Sequence, residues 1–399
     1  MKRLITVTET IFTKRLGEKF LHPTLADIAR RAGVAPMTVS RVINGTGYVS
    51  AATRERVQPI LEELDYRPNE LARSLKRQHT QIIGILLPDI ANPFSAELAR
   101  GIQQVLLKNK YSAFIATTEQ SVEREMAALS AFVDHRLDGI IVATMETKAG
   151  DDALRRCIKR GVPIVTVGRA LSHLPADRVT CDDWRGGYEA VEHLISLGHK
   201  RIAFIGSSLL NAGRLRRFQG FVDALRESGL SVAEELVAGP KTDSGPAYST
   251  YETGYQGMQR LLALTNRPSA AFARNDYTAF GAISAARDQG LSVPDDIAVV
   301  GFDNVPLGAY STPPLTTIEQ PTPELGRKAV SMLLERLNGQ VSGEGREICF
   351  PCRLIVREST CELRSQTAKS VLPHSKKNEK GLPRPGNSAT RASEAFFQK

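Results

Sequence analysis

The sequence predicts two architectures in one chain. A small all-α head carries a helix-turn-helix, and an α/β body follows, built as two lobes of doubly wound parallel sheet. Three observations predict this. Residues 24–63 hold three short apolar-periodic stretches joined by Gly- and Asn-containing turns, which is helix-turn-helix spacing. From Gln81 the pattern changes to short apolar runs ("IIGILL", "DGIIVA", "KRIAFIG", "DIAVVGF") separated by helical stretches such as "FSAELARGIQQVLLKNK". Strand alternating with helix means parallel sheet. Charge divides the same way: residues 1–79 hold 14 Lys and Arg against 8 Asp and Glu, a net of +6, while 80–362 net −3.

The first head helix is predicted at Thr24–Ala32, where Thr24 caps and Asp27 completes a capping box. Leu25, Ile28 and Ala29 form its apolar stripe, and Gly33 supplies the turn. The second runs from Pro36 to about Ile43 and ends at Asn44-Gly45. Pro36 presets the first helical φ and its missing N–H costs nothing there. The third starts at Ser50 and contains Pro59, which removes one helical hydrogen bond and is expected to kink it. Pro68 opens a linker at 68–79 that is too short to be a stable helix alone. In the body, "IIGILLPD", "RIAFIGSS" and "IAVVGFDN" each open a strand into a polar loop. Ligands of doubly wound sheets sit at such strand ends.

Composition excludes several function classes. Apolar content of 42% and charged content of 24% are ordinary for a globular protein. No run of about 18 apolar residues spans a membrane. The N-terminus lacks a continuous apolar core and a small-residue cleavage site, so a cytoplasmic, nucleoid-associated protein is expected. Five scattered cysteines argue against a disulfide framework. Cys349 and Cys352 form a C-x-x-C, but the zinc spacing is missing, and "EICFPCRLIVREST" reads as a terminal strand. There is no G-x-S-x-G or P-loop, and the histidines are scattered, so no enzyme, cofactor or metal is expected. A transport-type binding protein would need an export signal and no helix-turn-helix. The basic segment 363–399 reads as a disordered tail, and 1–21 as a flexible extension.

The N-terminal residues of a second helix in this motif reach base edges. Here they are Pro36, Met37, Thr38, Ser40 and Arg41. Arg41 can pair bidentately with guanine. Thr38, Ser40 and Asn44 can bind phosphates or bases. Met37 offers apolar contact, as to a thymine methyl.

The stretch "TLADIARRAGVAPMTVSRVINGTGYVSAATRERVQPILEELDYRPNELARSLKR" resembles the head and hinge of the LacI/GalR family of bacterial regulators. The resemblance continues through "GVPIVTVGR", "LISLGHKRIAFIG", "RRFQGF", "NDYTAFGAISAARDQGLSVPDDIAVVGFDN" and "PPLTTIEQP", over about residues 22–362. It implies a head at 22–67, with Thr24 among its DNA contacts. It implies a hinge helix at 68–79, with Asn69, Ala72, Arg73, Leu75 and Lys76 in the minor groove and Ala72 and Leu75 as the wedge. It implies a body at 80–362 resembling periplasmic sugar-binding proteins, with three crossovers. Lobe 1 is then expected at about 80–180 and 319–342, and lobe 2 at about 181–318 and 343–362. The implied partners are palindromic operator DNA, a second copy of the chain (a tetramer stays open) and a small effector, with no membrane.

The implied effector residues are Asn92, Phe94, Arg169, Arg217, Asn275, Asp276, Asp303 and Gln320. Their hydroxyl-matching groups and aromatic ring suit a sugar-like ligand. Many members carry an acid where Gly168-Arg169 stands, and Arg169, Arg217 and Arg274 together point toward a sugar acid. The implied function is a repressor of carbohydrate or sugar-acid catabolism or transport genes, switched by the effector. An activator or dual regulator, responding to a phosphorylated or non-sugar metabolite, is the alternative. One departure concerns Ala35, which lacks the N-cap side chain that members usually have there.

Overall fold

The structure, a computed structural model, describes residues 23–66, 79–119, 121–144, 148–169, 175–206, 212–239 and 251–362. The extension, the tail, and the hinge residues Asn69, Ala72, Arg73, Leu75 and Lys76 lie outside the described residues.

The head comprises α1 (Leu25–Ala32), α2 (Pro36–Asn44) and α3 (Ala51–Glu63). Ile28, Ala29, Ala32, Val39, Val42 and Val57 bury one shared core. The capping box forms: Asp27 N–H donates to Thr24 Oγ1 (3.3 Å), and Thr24 N–H donates to Asp27 Oδ2 (3.0 Å). Gly33 takes the left-handed conformation at φ 63°, which a side chain resists. Helix α3 continues as one element through Pro59, whose exposed position leaves the Glu55 carbonyl free to meet water. Arg31 ties α1 to Glu63 of α3 at 2.6 Å.

The body holds two six-stranded sheets. The first comprises β1 (Ile82–Leu87), β2 (Ser112–Thr117), β3 (Gly139–Val142), β4 (Ile164–Val167), β5 (Asp177–Cys181) and β11 (Glu347–Phe350), in the order β11-β5-β4-β3-β1-β2. All of its pairs are parallel. Helices α4 (Pro93–Lys108) and α11 (Thr322–Leu337) cover one face, and α5 (Val122–Asp134) and α6 (Lys148–Lys159) the other. The second sheet comprises β6 (Ile202–Ile205), β7 (Val237–Ala238), β8 (Ala270–Ala273), β9 (Ala298–Asp303), β10 (Thr316–Glu319) and β12 (Arg353–Ile355). Its order is β12-β10-β9-β8-β6-β7, and only β12 runs antiparallel. Helices α7 (Asp183–Ser196) and α8 (Ala212–Glu227) pack on one face, and α9 (Tyr251–Leu262) and α10 (Asp276–Asp288) on the other.

The chain therefore passes between sheets after Cys181, after Glu319 and between Phe350 and Arg353. The stretch "EICFPCRLIVREST", expected as one terminal strand, is two strands in different lobes. The expected start of the last lobe 2 segment at 343 is too early, because 347–350 pairs with β5 of lobe 1. Pro351 lacks the N–H to continue a ladder, so the strand stops there and the chain changes sheets.

Asp177 anchors this return. It is fully buried at the start of β5, and it accepts from Arg336 of α11 (2.6 Å), Arg346 Nη2 (2.7 Å) and the Arg346 N–H (2.8 Å). Burial pushes its pKa up, but the Arg336 and Arg346 hydrogen bonds outweigh burial and hold it down at about 2. A folded pKa below the unfolded value of about 4 contributes stability that is present above pH 4 and lost as pH falls toward 2. Asp177→Asn is expected to cost roughly 2–3 kcal/mol at neutral pH. It should also shrink the loss of urea midpoint between pH 4 and pH 2. A variant with the parent's acid sensitivity would show that Asp177 does not drive it.

Candidate nucleic-acid interface and effector cleft

Helix α2 turns Val39 and Val42 into the head core, with Ile43 packed against it, and leaves its opposite face outward. Val39 and Val42 are buried, whereas Pro36, Met37, Arg41 and Asn44 are exposed and Thr38 and Ser40 half-buried. Met37 is 61% exposed, a large apolar side chain held in water. Met37 and Arg41 are four apart and share a face. Ala35 sits at the N-cap in extended geometry with no side-chain hydrogen bond; Pro36 has no N–H to satisfy, and the Thr38 N–H donates to the Ala35 carbonyl (2.8 Å).

Two expected contacts are partly committed elsewhere. Thr24 gives its hydroxyl to Asp27 at 2.6 Å, so its first role is the cap. The Asn44 amide donates to the Ser40 carbonyl (2.7 Å) and hydroxyl (3.2 Å), which couples two of the expected residues. Tyr48, 89% exposed in the loop between α2 and α3, was not singled out from sequence. An aromatic residue beside Gly47 in the loop that follows α2 is the signal that could have found it.

Between the lobes lies a cavity of about 110 Å³. Asn92, Phe94, Arg217, Asn275, Asp303 and Gln320, six of the expected residues, meet there. Asn92 N-caps α4, accepting from the Phe94 N–H at 3.0 Å, which turns the Phe94 ring toward the cleft. Asn275 N-caps α10, accepting from Thr278 N–H at 3.0 Å. Arg217 reaches the cleft because α7 and α8 touch backbone to backbone. A Cβ on Gly187 would meet the Arg217 carbonyl at 2.3 Å, and one on Gly220 the Trp184 carbonyl at 2.2 Å.

Arg217 Nε donates to Asp183 Oδ1 (2.6 Å), and Nη1 donates to the Arg274 carbonyl (2.9 Å) and lies 3.7 Å from Asp303. Its guanidinium stacks 3.7 Å over the Phe302 ring. Burial works to lower the Arg217 pKa, but Asp183 and Asp303 outweigh it and raise it. Burial raises the Asp183 pKa, with Arg217 opposing. Asp303 adopts φ 116°, a strained conformation for a residue with a side chain. That backbone presents its carboxylate to Arg217 on one side and to Gln320, which donates at 2.7 Å, on the other. The cluster is a prearranged set of donors and acceptors of balanced charge, suited to hydroxyls.

Two expected residues are elsewhere. Arg169 is fully buried behind the cleft wall, donating to Glu125 (2.7 Å), Thr144 (2.9 Å) and Asp151 (2.6 Å). Two carboxylates pulled it inward, and no single local pattern in the sequence reveals that. Asp276 is also fully buried. Its carboxylate accepts from Val305 N–H (2.8 Å) and the Thr317 hydroxyl, holding β9, β10 and α10 together. Burial raises its pKa well above the usual range, with Asp303 adding to the effect. Arg274, which the sequence placed beside the cleft, borders the cavity; Asp183, Ser95 and Thr144 border it as well and were not among the expected residues. The doubled acid of "CDDW" was the available signal for Asp183: Asp182 caps α7, which frees Asp183 to face inward. Among the described residues, no group of three His, Cys, Asp or Glu could hold a metal, and no helix is long and apolar enough to cross a membrane.

Residues 24–69 match the model for bacterial regulatory proteins of the lacI family, and residues 191–360 match a periplasmic binding protein-like domain. The HTH-type transcriptional regulator DegA of Bacillus subtilis strain 168 is 37% identical over 344 residues, covering 86% of this chain and 99% of its own. The crystal structure of the lac repressor dimer bound to operator and the anti-inducer ONPF superposes with TM-score 0.74 at 28% identity, covering 85% of this chain and 99% of that one. The transcriptional regulator CelR–cellobiose complex gives TM-score 0.63 at 31% identity, covering 84% and 99%.

Proposed function

The chain belongs to the lacI family of bacterial regulatory proteins, and on that premise we propose that it is a dimeric repressor of carbohydrate genes, released from or recruited to a palindromic operator by an uncharged sugar-like effector. It is a DNA-binding transcriptional regulator, not an enzyme. The observation that carries the proposal is a water-exposed recognition helix on the same chain as an interlobe cavity lined by half-buried Arg217 and buried Asp183, Asp303 and Asn275. The related lac repressor structure is a dimer on operator, and the related CelR structure holds cellobiose. Both support the pairing and the ligand class. The burial of Arg169 between Glu125 and Asp151 removes one of the cations that favoured a sugar acid.

The switch is a population shift. Effector contacts differ between lobe arrangements, and that difference sets the coupling to operator affinity. Segment 68–79, between head and body, would carry it. The protein works in the cytoplasm, where the chromosome is. Selection from random DNA with the full chain is expected to return near-palindromic sites, with binding that falls steeply with salt. Selected sites without two-fold symmetry would refute the dimeric reading.

Within this reading, Met37 and Arg41 read bases, while Pro36, Thr38, Ser40, Asn44 and Tyr48 contact the backbone. Met37→Gln should switch preference toward adenine at one position per half-site, by about 1–3 kcal/mol. The salt slope should stay unchanged. Equal weakening on every sequence would move Met37 from base reading to backbone contact.

A further inference from the structure

Cys181 and Cys352 meet where the chain changes lobes. Cys181 ends β5 at the first crossover, and Cys352 lies between β11 and β12 at the third. Parallel pairing sets Phe350 beside Cys181, and the Asp182 N–H donates to the Phe350 carbonyl (2.9 Å). Cys352, two residues past Phe350, then comes back against Cys181, and the two free thiols share a hydrogen bond. Cys181 belongs to the lobe 1 core, and Cys352 packs on the cores of both lobes. The C-x-x-C spacing would pair Cys352 with Cys349 instead. Neighbours along a strand face opposite sides. Phe350 packs on the lobe 1 core, so Cys349 faces away from it and is exposed. We propose that a hydroperoxide converts Cys181 and Cys352 into a reversible disulfide, which ties the first crossover to the third and restricts how one lobe moves on the other.

The two sulfurs have different roles. Cys352 is half-buried, within reach of a small oxidant. Cys181 is buried, and its hydrogen bond to Cys352, then burial, push its pKa up and keep it protonated. The Cys352 sulfur attacks one peroxide oxygen: the S–O bond forms, the O–O bond breaks, and the thiol proton leaves in a molecule of water or alcohol. Cys181 then attacks the Cys352 sulfur: the S–S bond forms, the S–O bond breaks, and the Cys181 proton leaves in a molecule of water. Two electrons pass from the sulfurs to the peroxide. The bond draws the sulfurs from contact to about 2 Å. Asp183, two residues past Cys181, holds Arg217 (2.6 Å), whose charge also acts on Cys181. The staple therefore forms beside the cleft, on strand ends about which the lobes rearrange. Disulfides in reducing compartments are usually transient and redox-sensing, which suits a switch more than a structural bond.

The test begins with the reduced full chain, treated with hydrogen peroxide and digested without reductant. Peptide mapping is expected to return Cys181 joined to Cys352, and dithiothreitol should reverse the bond. On sites selected from random DNA, operator affinity should shift by about fivefold or more on oxidation and return on reduction. Cys352→Ser should lose both responses, and so should Cys181→Ala, whereas Cys349→Ser should keep both. Unfolding midpoints of the reduced variants separate lost oxidation from lost folding, and half-buried Cys352 carries the test if Cys181→Ala does not fold. A Cys349–Cys352 bond, a bond between two chains, or thiols oxidised singly overturns the pair. The Cys181–Cys352 bond with operator affinity unmoved overturns the switch. Mapping needs neither operator nor effector, so its failure leaves the assignment as a regulator untouched.

Discussion

Replacing Arg217 by methionine is expected to abolish the effector response while operator binding by the head persists. Arg217 bridges Asp183, the Arg274 carbonyl and Asp303 and stacks on Phe302. Methionine replaces the stem and part of the packing but none of the donors. Removing a buried charged donor from its partners costs about 3–5 kcal/mol; if only half of that falls on the liganded state, affinity drops by at least about tenfold. The protein pays as well. Asp183, whose pKa burial already raises, loses the guanidinium that opposes the rise. Its folded pKa then climbs further above the unfolded one, so stability falls as pH rises through that interval. The variant should therefore be most stable in mild acid. Arg217→Lys keeps the charge but not the fork, and should recover stability more than binding. Operator titration with and without effector, beside unfolding midpoints at two pH values, reads both effects. A full effector response in Arg217→Met would remove this residue from the site.

The head was legible because its signals are local. Thr24 and Asp27 three residues apart, Gly33 after the last apolar position, and Pro36 at a helix start each act within one turn. The alternation of the body was legible for the same reason, since β1, β6 and β9 are buried apolar runs that end in polar loops. What failed depended on distant partners. Whether Arg169 faces ligand or core is decided by Glu125, 44 residues away, and by Asp151. The role of Asp276 is decided by Thr317, 41 residues on. The two strands inside "EICFPCRLI" read as one because apolar content is continuous across Pro351, and only the pairing with β5 and β10 separates them. A residue that faces a cleft between two sheets has no periodicity to announce it. The resemblance supplied most cleft positions; of the two that lie elsewhere, Arg169 stands where this chain departs from the common pattern and Asp276 within a matching stretch.

Arg169→Met is expected to destabilise the body strongly without changing which effectors bind. The guanidinium is fully buried, with Glu125 also buried and Asp151 about one-third exposed. Removing it leaves a buried carboxylate uncompensated, at about 3–5 kcal/mol. Thr144 also loses the donor that orients its hydroxyl at the cleft wall. The effect on ligand is thus indirect: affinity should weaken in parallel for neutral and anionic sugars, with their ratio unchanged. If Arg169 instead met the ligand's charge, the anionic members alone would lose affinity. The double variant Arg169→Met with Glu125→Leu decides the point from the stability side. It removes the charge together with its main partner, and replacing a buried pair by apolar groups of similar volume is often neutral or better. The double variant is therefore expected to recover most of what the single variant loses, a coupling of about 2–3 kcal/mol in a double-mutant cycle. Additive losses would mean that the two residues do not act as a pair. The missing acid after β4 would then need another explanation than the one its buried partners supply.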